Sequence, residues 1–150
     1  MRAPTLTLIF CALVFVLTAC QTTSSNAYGE PRKDSSTADG YYVPRDLGEA
    51  LTEVDRIMGS SGRADVLKAK ERDMIDYHFS FGLWMRNNWL RHHSRLAQYF
   101  KQLGIVDYDD MSGIILDSYW RQLHGKPIDL GGQVRHCQDY WKKEKLNEGS

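Results

Sequence analysis

Apolar residues recur along this chain at helical spacing, in blocks separated by glycine, proline and clustered polar residues, and no block alternates as a strand would. Tyr41-Tyr42-Val43-Pro44 is an extended lead-in, because the residue before proline avoids the helical region. Asp46, with Glu49 three residues on, marks a helix start. Leu47, Ala50, Leu51, Val54 and Met58 form its apolar side, and Gly59 is its expected stop. Ser60-Ser61-Gly62 reads as a loop, and 63–72 as a weaker, polar helix with Val66 and Leu67. From about 73 to 90 the pattern changes. Met74, Tyr77, Phe81, Trp84 and Met85 share one face at 3.6 residues per turn, while Ile75, Phe79, Leu83 and Leu90 share another. A helix apolar nearly all round is a buried one, so this segment is expected at the centre, with Gly82 admitting a close neighbour.

Three further helices follow. Ser94 caps one with Leu96, Tyr99, Phe100 and Leu103 inward, ended by Gly104. Asp109 or Asp110 caps the next, with Met111, Ile114, Ile115, Tyr119 and Leu123 apolar, ended by Gly125 and Pro127. The last spans about 133–145, with Val134, Cys137 and Trp141 inward, before a frayed tail at 147–150. The expected class is all-α: a compact bundle of five or six short helices around a central apolar helix at about 73–90, the domain occupying 41–146.

The first forty residues read differently. Arg2 precedes an almost wholly apolar run, Leu6 to Leu17, too short to cross a bilayer as a helix, which needs about 20 residues. It fits the apolar region of a signal peptide. Leu17-Thr18-Ala19-Cys20 looks like a lipobox, so residues 1–19 are expected to be removed and Cys20 to carry the lipid. Gln21 after the cysteine resembles Gram-negative lipoproteins sorted to the outer membrane. The expected location is the cell envelope, anchored by lipid and facing the periplasm. Residues 20–40 are rich in Ser and Thr and poor in large apolar groups, which predicts a flexible tether spanning on the order of 25 Å.

Charge narrows the partners. Lys+Arg and Asp+Glu are equal at 19 each, a balance that argues against nucleic acid. Of the three cysteines, Cys11 leaves with the signal and Cys20 is modified. Cys137 alone remains, and it is read as a quiet, partly buried thiol. Paired Cys-x-x-Cys, a glycine-rich phosphate loop and a G-x-S-x-G elbow are all missing.

Several blocks together resemble a bacterial domain family of unknown function. They are Tyr42-Val43-Pro44 with Asp46-Leu47, Tyr77-His78, Arg86-Asn87-Asn88-Trp89, Ser94-Arg95-Leu96 with Tyr99-Phe100, and Asp109-Asp110-Met111-Ser112-Gly113-Ile114-Ile115-Leu116. Where the family pattern continues Gly-Leu-Trp, this chain has Leu90-Arg91-His92-His93. The resemblance spans about 41–130 and implies a compact domain; it brings no activity.

Arg86 and Asn88 interrupt the apolar faces of the 73–90 segment. A buried guanidinium needs a partner, and Asp107, Asp109 and Asp110 are the nearest acidic cluster, in a helix start where carboxylates also suit the dipole. Two readings stand side by side. Arg86, Asn87 and Asn88 tie the helix to a loop and a helix start, or they floor a groove walled by Trp84 and Trp89, with His78 nearby, that holds a peptide or glycan. The five histidines show no metal-ligand spacing, so no metal, cofactor or catalytic residue is expected. Arg91, His92, His93 and Arg95 form a basic knot, read as solvated loop or as a contact for an anionic envelope partner. The expected function is a membrane-anchored lipoprotein with a non-catalytic binding or structural domain. The alternatives are an envelope hydrolase or transferase acting on glycan or peptide, which requires two acids, or His78 with an acid, in one cleft, and an inhibitor or immunity-type protein.

Overall fold

The computed structural model describes residues 28–148, so the expected signal segment, Cys20 and residues 149–150 lie outside it. Among the described residues the fold is all-α, a compact bundle, with one isolated antiparallel bridge between Lys33 and Tyr41. Helix α1 is Leu47–Lys68, α2 Met74–Tyr77, α3 Leu83–Met85, α4 Arg95–Gln102, α5 Tyr108–Leu123 and α6 Leu130–Glu148. Elements α2 and α3 are turns of one longer helix, 74–90, completed by two π-helical turns, His78–Gly82 and Arg86–Leu90.

Local chemistry sets the helix starts. The Asp46 carboxylate accepts from Glu49 N–H at 2.9 Å, and Ser94 Oγ accepts from Ala97 N–H at 3.1 Å. The cap of α5 is Asp107, two or three residues earlier than expected, accepting from Asp109 N–H at 2.7 Å. Gly59 breaks α1 at φ 58°, as its place in the pattern predicts. The expected loop at 60–62 is helical instead. The chain resumes helix directly after the glycine because Gly62 and Val66 are buried there.

The centre of the bundle is α5, not the 73–90 segment. Met111, Ile114, Ile115, Leu116, Tyr119 and Trp120 are all buried, and α1, the 74–90 helix, α4 and α6 all pack on α5. Tyr119 Oη donates to Asp55 of α1 at 3.0 Å, and Trp120 Nε1 to Ala69 O at 2.9 Å. The 74–90 helix has one buried side only; Ile75, Phe79 and Leu83 are 54%, 70% and 47% exposed. Two rows at a spacing of four divide this helix, which contains the two π turns. Tyr77, Phe81, Met85 and Trp89 pack into the core, while Ile75, Phe79 and Leu83 face solvent. Gly82 does admit a close neighbour: a Cβ there would stand 3.5 Å from Leu116 Cδ1 and 3.1 Å from Arg86 Nη1.

Residues 28–40, expected to be loose, are docked on α1. Gly29 N–H donates to Ile57 O at 2.9 Å, Arg56 reaches the Glu30 carbonyl, and Arg32 pairs with buried Glu53 at 2.9 Å. Tyr42 N–H donates to Arg32 O at 2.8 Å, and the Arg32 guanidinium lies 3.5 Å over the Tyr42 ring. Composition predicts a tether because large apolar groups are few; backbone hydrogen bonds and cation–π contacts hold the segment instead. At the other end α6 runs from Leu130 through Glu148, longer than expected. It is thinly attached, with no residue of its described side chains buried.

Candidate functional site

The expected groove between Trp84 and Trp89 is filled. Trp89 is 1% exposed, and Phe81 stacks on Trp84 at 5.6 Å while Tyr41 meets it edge-on at 5.5 Å. The two tryptophans touch each other edge to face at 5.3 Å. Asn88 Nδ2 donates to Trp84 O at 2.8 Å, an i to i−4 bond within the helix, and Asn87 Oδ1 and Trp89 Nε1 are buried without a partner. Trp84 and Trp89 thus belong to a packed aromatic cluster, while Asn88 borders a separate cavity of about 380 Å³ with Arg91 and His92.

Arg86 and His78 point the other way, toward α5. Arg86 Nε lies 2.8 Å from Asp109 Oδ1, Nη1 donates to Ser112 Oγ at 2.9 Å, and His78 O accepts from Nη1 at 3.3 Å. The acidic partner thus comes from the 107–110 cluster. His78 Nε2 stands 3.6 Å from the same Asp109 oxygen.

These groups open onto a cleft of about 560 Å³ between the 74–90 helix, α5 and α6. One row of α5 runs along it at a spacing of four: Asp109, Gly113, Asp117 and Arg121. Such a row falls on one helix face. Gly113 keeps the floor low, since a Cβ there would lie 4.0 Å from His78 Nδ1. Gln133, His136 and Cys137 of α6 form the opposite wall. A second cavity of about 340 Å³ shares His78, Gly113 and Asp117 and reaches Glu71 and Ile75.

Asp117 is half-buried and makes no hydrogen bond or ion pair with any described residue. Burial raises its carboxyl above the usual range, the Glu71 carboxylate adds to this, and Arg121 and His78 oppose it. Arg121 is engaged elsewhere, with Glu71 at 2.7 Å and Pro127 O at 3.3 Å. Cys137 is the reverse of a nucleophile: burial, aided by Asp110, pushes its thiol up to about 11. Among the described residues no three His, Cys, Asp or Glu side chains converge as metal ligands.

Of the residues expected to form a site, the structure places His78 in the cleft and Arg86 behind it on Asp109, and leaves Trp84, Asn87, Asn88 and Trp89 outside it. Sequence reasoning missed Asp117, Arg121 and Gln133. The available signal was the polar row 109–113–117–121 on an otherwise apolar helix. Of the basic knot, Arg91, His92 and Arg95 line one cavity of about 380 Å³ together with Asp34 and Asp39; Arg95 Nε donates to Val43 O at 2.6 Å, and His92 and His93 take positive φ of 57° and 54°.

Comparison with curated proteins and with solved structures gave no match. Residues 43–123 match the model of the family described as Domain of unknown function (DUF6794). That stretch includes the whole polar row of α5, His78 and Arg86, whereas the α6 wall lies beyond it. More than half of the chain is covered, and the protein belongs to the DUF6794 family.

Proposed function

We propose that this protein is a lipid-anchored component of the cell envelope whose helical domain binds a peptide or glycan without transforming it, in the cleft between the 74–90 helix, α5 and α6. The observation that carries this reading is Asp117. A half-buried carboxylate with no partner is a standing cost to the fold. A group of this kind beside an open cleft of about 560 Å³ suits a ligand that supplies the missing hydrogen bonds. The anchor is supported by the apolar run 6–17 and the Leu17-Thr18-Ala19-Cys20 block. Among the described residues no helix is long and apolar enough to cross a membrane. With the chain docked from Tyr28 onward, only residues 21–27 stand between Cys20 and the domain, at most about 25 Å of extended chain.

A hydrolase is the second reading, and one observation favours it: His78 and Asp109 meet at 3.6 Å in the cleft that also holds a raised carboxyl, Asp117. One experiment separates the two. Disaccharide–peptide fragments of peptidoglycan are titrated into the ¹⁵N-labelled protein, and the mixture is then weighed by mass spectrometry. Binding without turnover predicts saturable shifts at Gly113, Asp117 and Gln133, with fragment masses unchanged. New fragment masses that vanish in His78→Ala would establish the hydrolase, and unchanged spectra at all three positions would remove the cleft from consideration.

A further inference from the structure

We infer that the cleft selects a cationic group, a primary amine or guanidinium, borne next to an apolar side chain on a peptide; this rests on the cleft being a binding site. The first argument is the state of its donors and acceptors. The donors are engaged: Arg86 with Asp109 and Ser112, and Gln133 Nε2 with Ser118 Oγ at 3.1 Å and Ile128 O at 2.7 Å. Among the buried donors of the cleft Arg121 Nε is left over, on a guanidinium whose charge Glu71 already matches; His136 lies at the exposed rim. Of the acceptors, Asp109 is taken by Arg86, Asp110 by Trp141 Nε1 and Asp129 by Gly132 N–H, but two are not engaged. Gln133 Oε1 is buried without a partner, and the Asp117 carboxylate has none. A ligand that fits must bring N–H groups, and beside an unpaired carboxylate a charged donor outranks a neutral one, since charge-assisted hydrogen bonds are roughly twice as strong. An anion or a bare acceptor would meet unpaired acceptors and like charge.

The second argument is the surface beside Asp117. The smaller cavity that shares Asp117 and His78 is bordered by Met74 and by Ile75, which is 54% exposed. The next residue of that row, Phe79, is 70% exposed and its ring meets His78 edge-on at 5.6 Å. The π turn at His78–Gly82, which carries Phe79, packs against α5. A carboxylate flanked by an apolar shelf matches a lysine or arginine with a hydrophobic neighbour better than it matches a sugar, whose hydroxyls are both donors and acceptors on every side.

The test uses the intact protein in detergent, with amide spectra as the readout and three probes: acetyl-Phe-Lys-amide, the same peptide with its lysine Nε-acetylated, and di-N-acetylchitobiose. Acetyl-Phe-Lys-amide should shift Ile75, Gly113 and Asp117 saturably. Acetylation of the lysine and Asp117→Asn should each weaken it by about tenfold or more. Ile75→Ser, an exposed change that leaves the fold intact, should weaken it by roughly threefold to tenfold through lost apolar burial. Equal binding of the acetylated peptide, or chitobiose binding at the same residues with the lysine peptide silent, overturns the cation inference and leaves the binding site standing. Silence from all three probes overturns both.

Discussion

Asp117 lowers the stability of the empty protein at neutral pH. Its carboxyl is raised, first by burial and then by Glu71, so the folded chain holds a proton that the unfolded chain releases near the ordinary aspartate value of about 3.9. Stability therefore falls as pH rises from that value through the raised one, and above the raised value the cost is present in full. Asp117→Asn should raise Tm at pH 7, and the gain should shrink as pH falls through the raised value and vanish below the ordinary aspartate value of about 3.9, where both folded and unfolded chains hold the proton. Trp89 behaves in the opposite sense. It is a buried member of the aromatic cluster with Phe81 and Trp84, so Trp89→Ala should cost about 3–5 kcal/mol in urea denaturation. Loss of ligand without loss of stability would return Trp89 to the site. Cys137 should resist alkylation at pH 7–8 and react readily only as pH approaches 11. Arg86 was legible from sequence because a cation on an apolar face demands a carboxylate. Asp117 was not, since one aspartate on a helix reads as solvent-facing until the neighbouring helices are in place.

At the scale of elements, the sequence pattern is faithful wherever the helix is regular. The caps at Asp46 and Ser94 and the break at Gly59 follow from side-chain chemistry within one turn. Over 74–90 the pattern separates the two apolar rows correctly, with Leu90 as the exception, but an apolar row is not by itself a covered one: Ile75, Phe79 and Leu83 face solvent, and α5 holds the central place. Residues 28–40 were misread for another reason: their anchorage is backbone pairing, which composition does not record. A Cβ at position 29 would fall 2.1 Å from Arg56 O, so only glycine permits the approach. Gly29→Ala should release the segment, seen as new protease cleavage between 30 and 42 with the melting of α5 amides little changed. Retained protection would contradict the docking. The thin attachment of α6 predicts amide exchange there well before α5, because a helix with no buried side chain opens locally.

At the scale of the molecule, the all-α class and the family membership were both readable from the chain, the first from periodicity and the second from the combined blocks at 86–89 and 109–116. The cleft was not, because its walls come from three segments far apart in sequence. The family stretch supplies the floor and the 74–90 wall, and α6, beyond it, adds Gln133 and His136. An anchor at Cys20, as proposed, would hold this cleft within a few tens of ångströms of a membrane. In this account Asp117 is kept at the expense of stability for the sake of a ligand, and function set against stability is a familiar trade. The most direct measurement is a set of four thermal melts at pH 7: the protein and its Asp117→Asn variant, each with and without acetyl-Phe-Lys-amide. The peptide should raise Tm of the native protein, as any ligand of the folded state must, while the variant starts higher and does not respond. A variant that melts lower than the native protein and is raised equally by the peptide would contradict this role of Asp117.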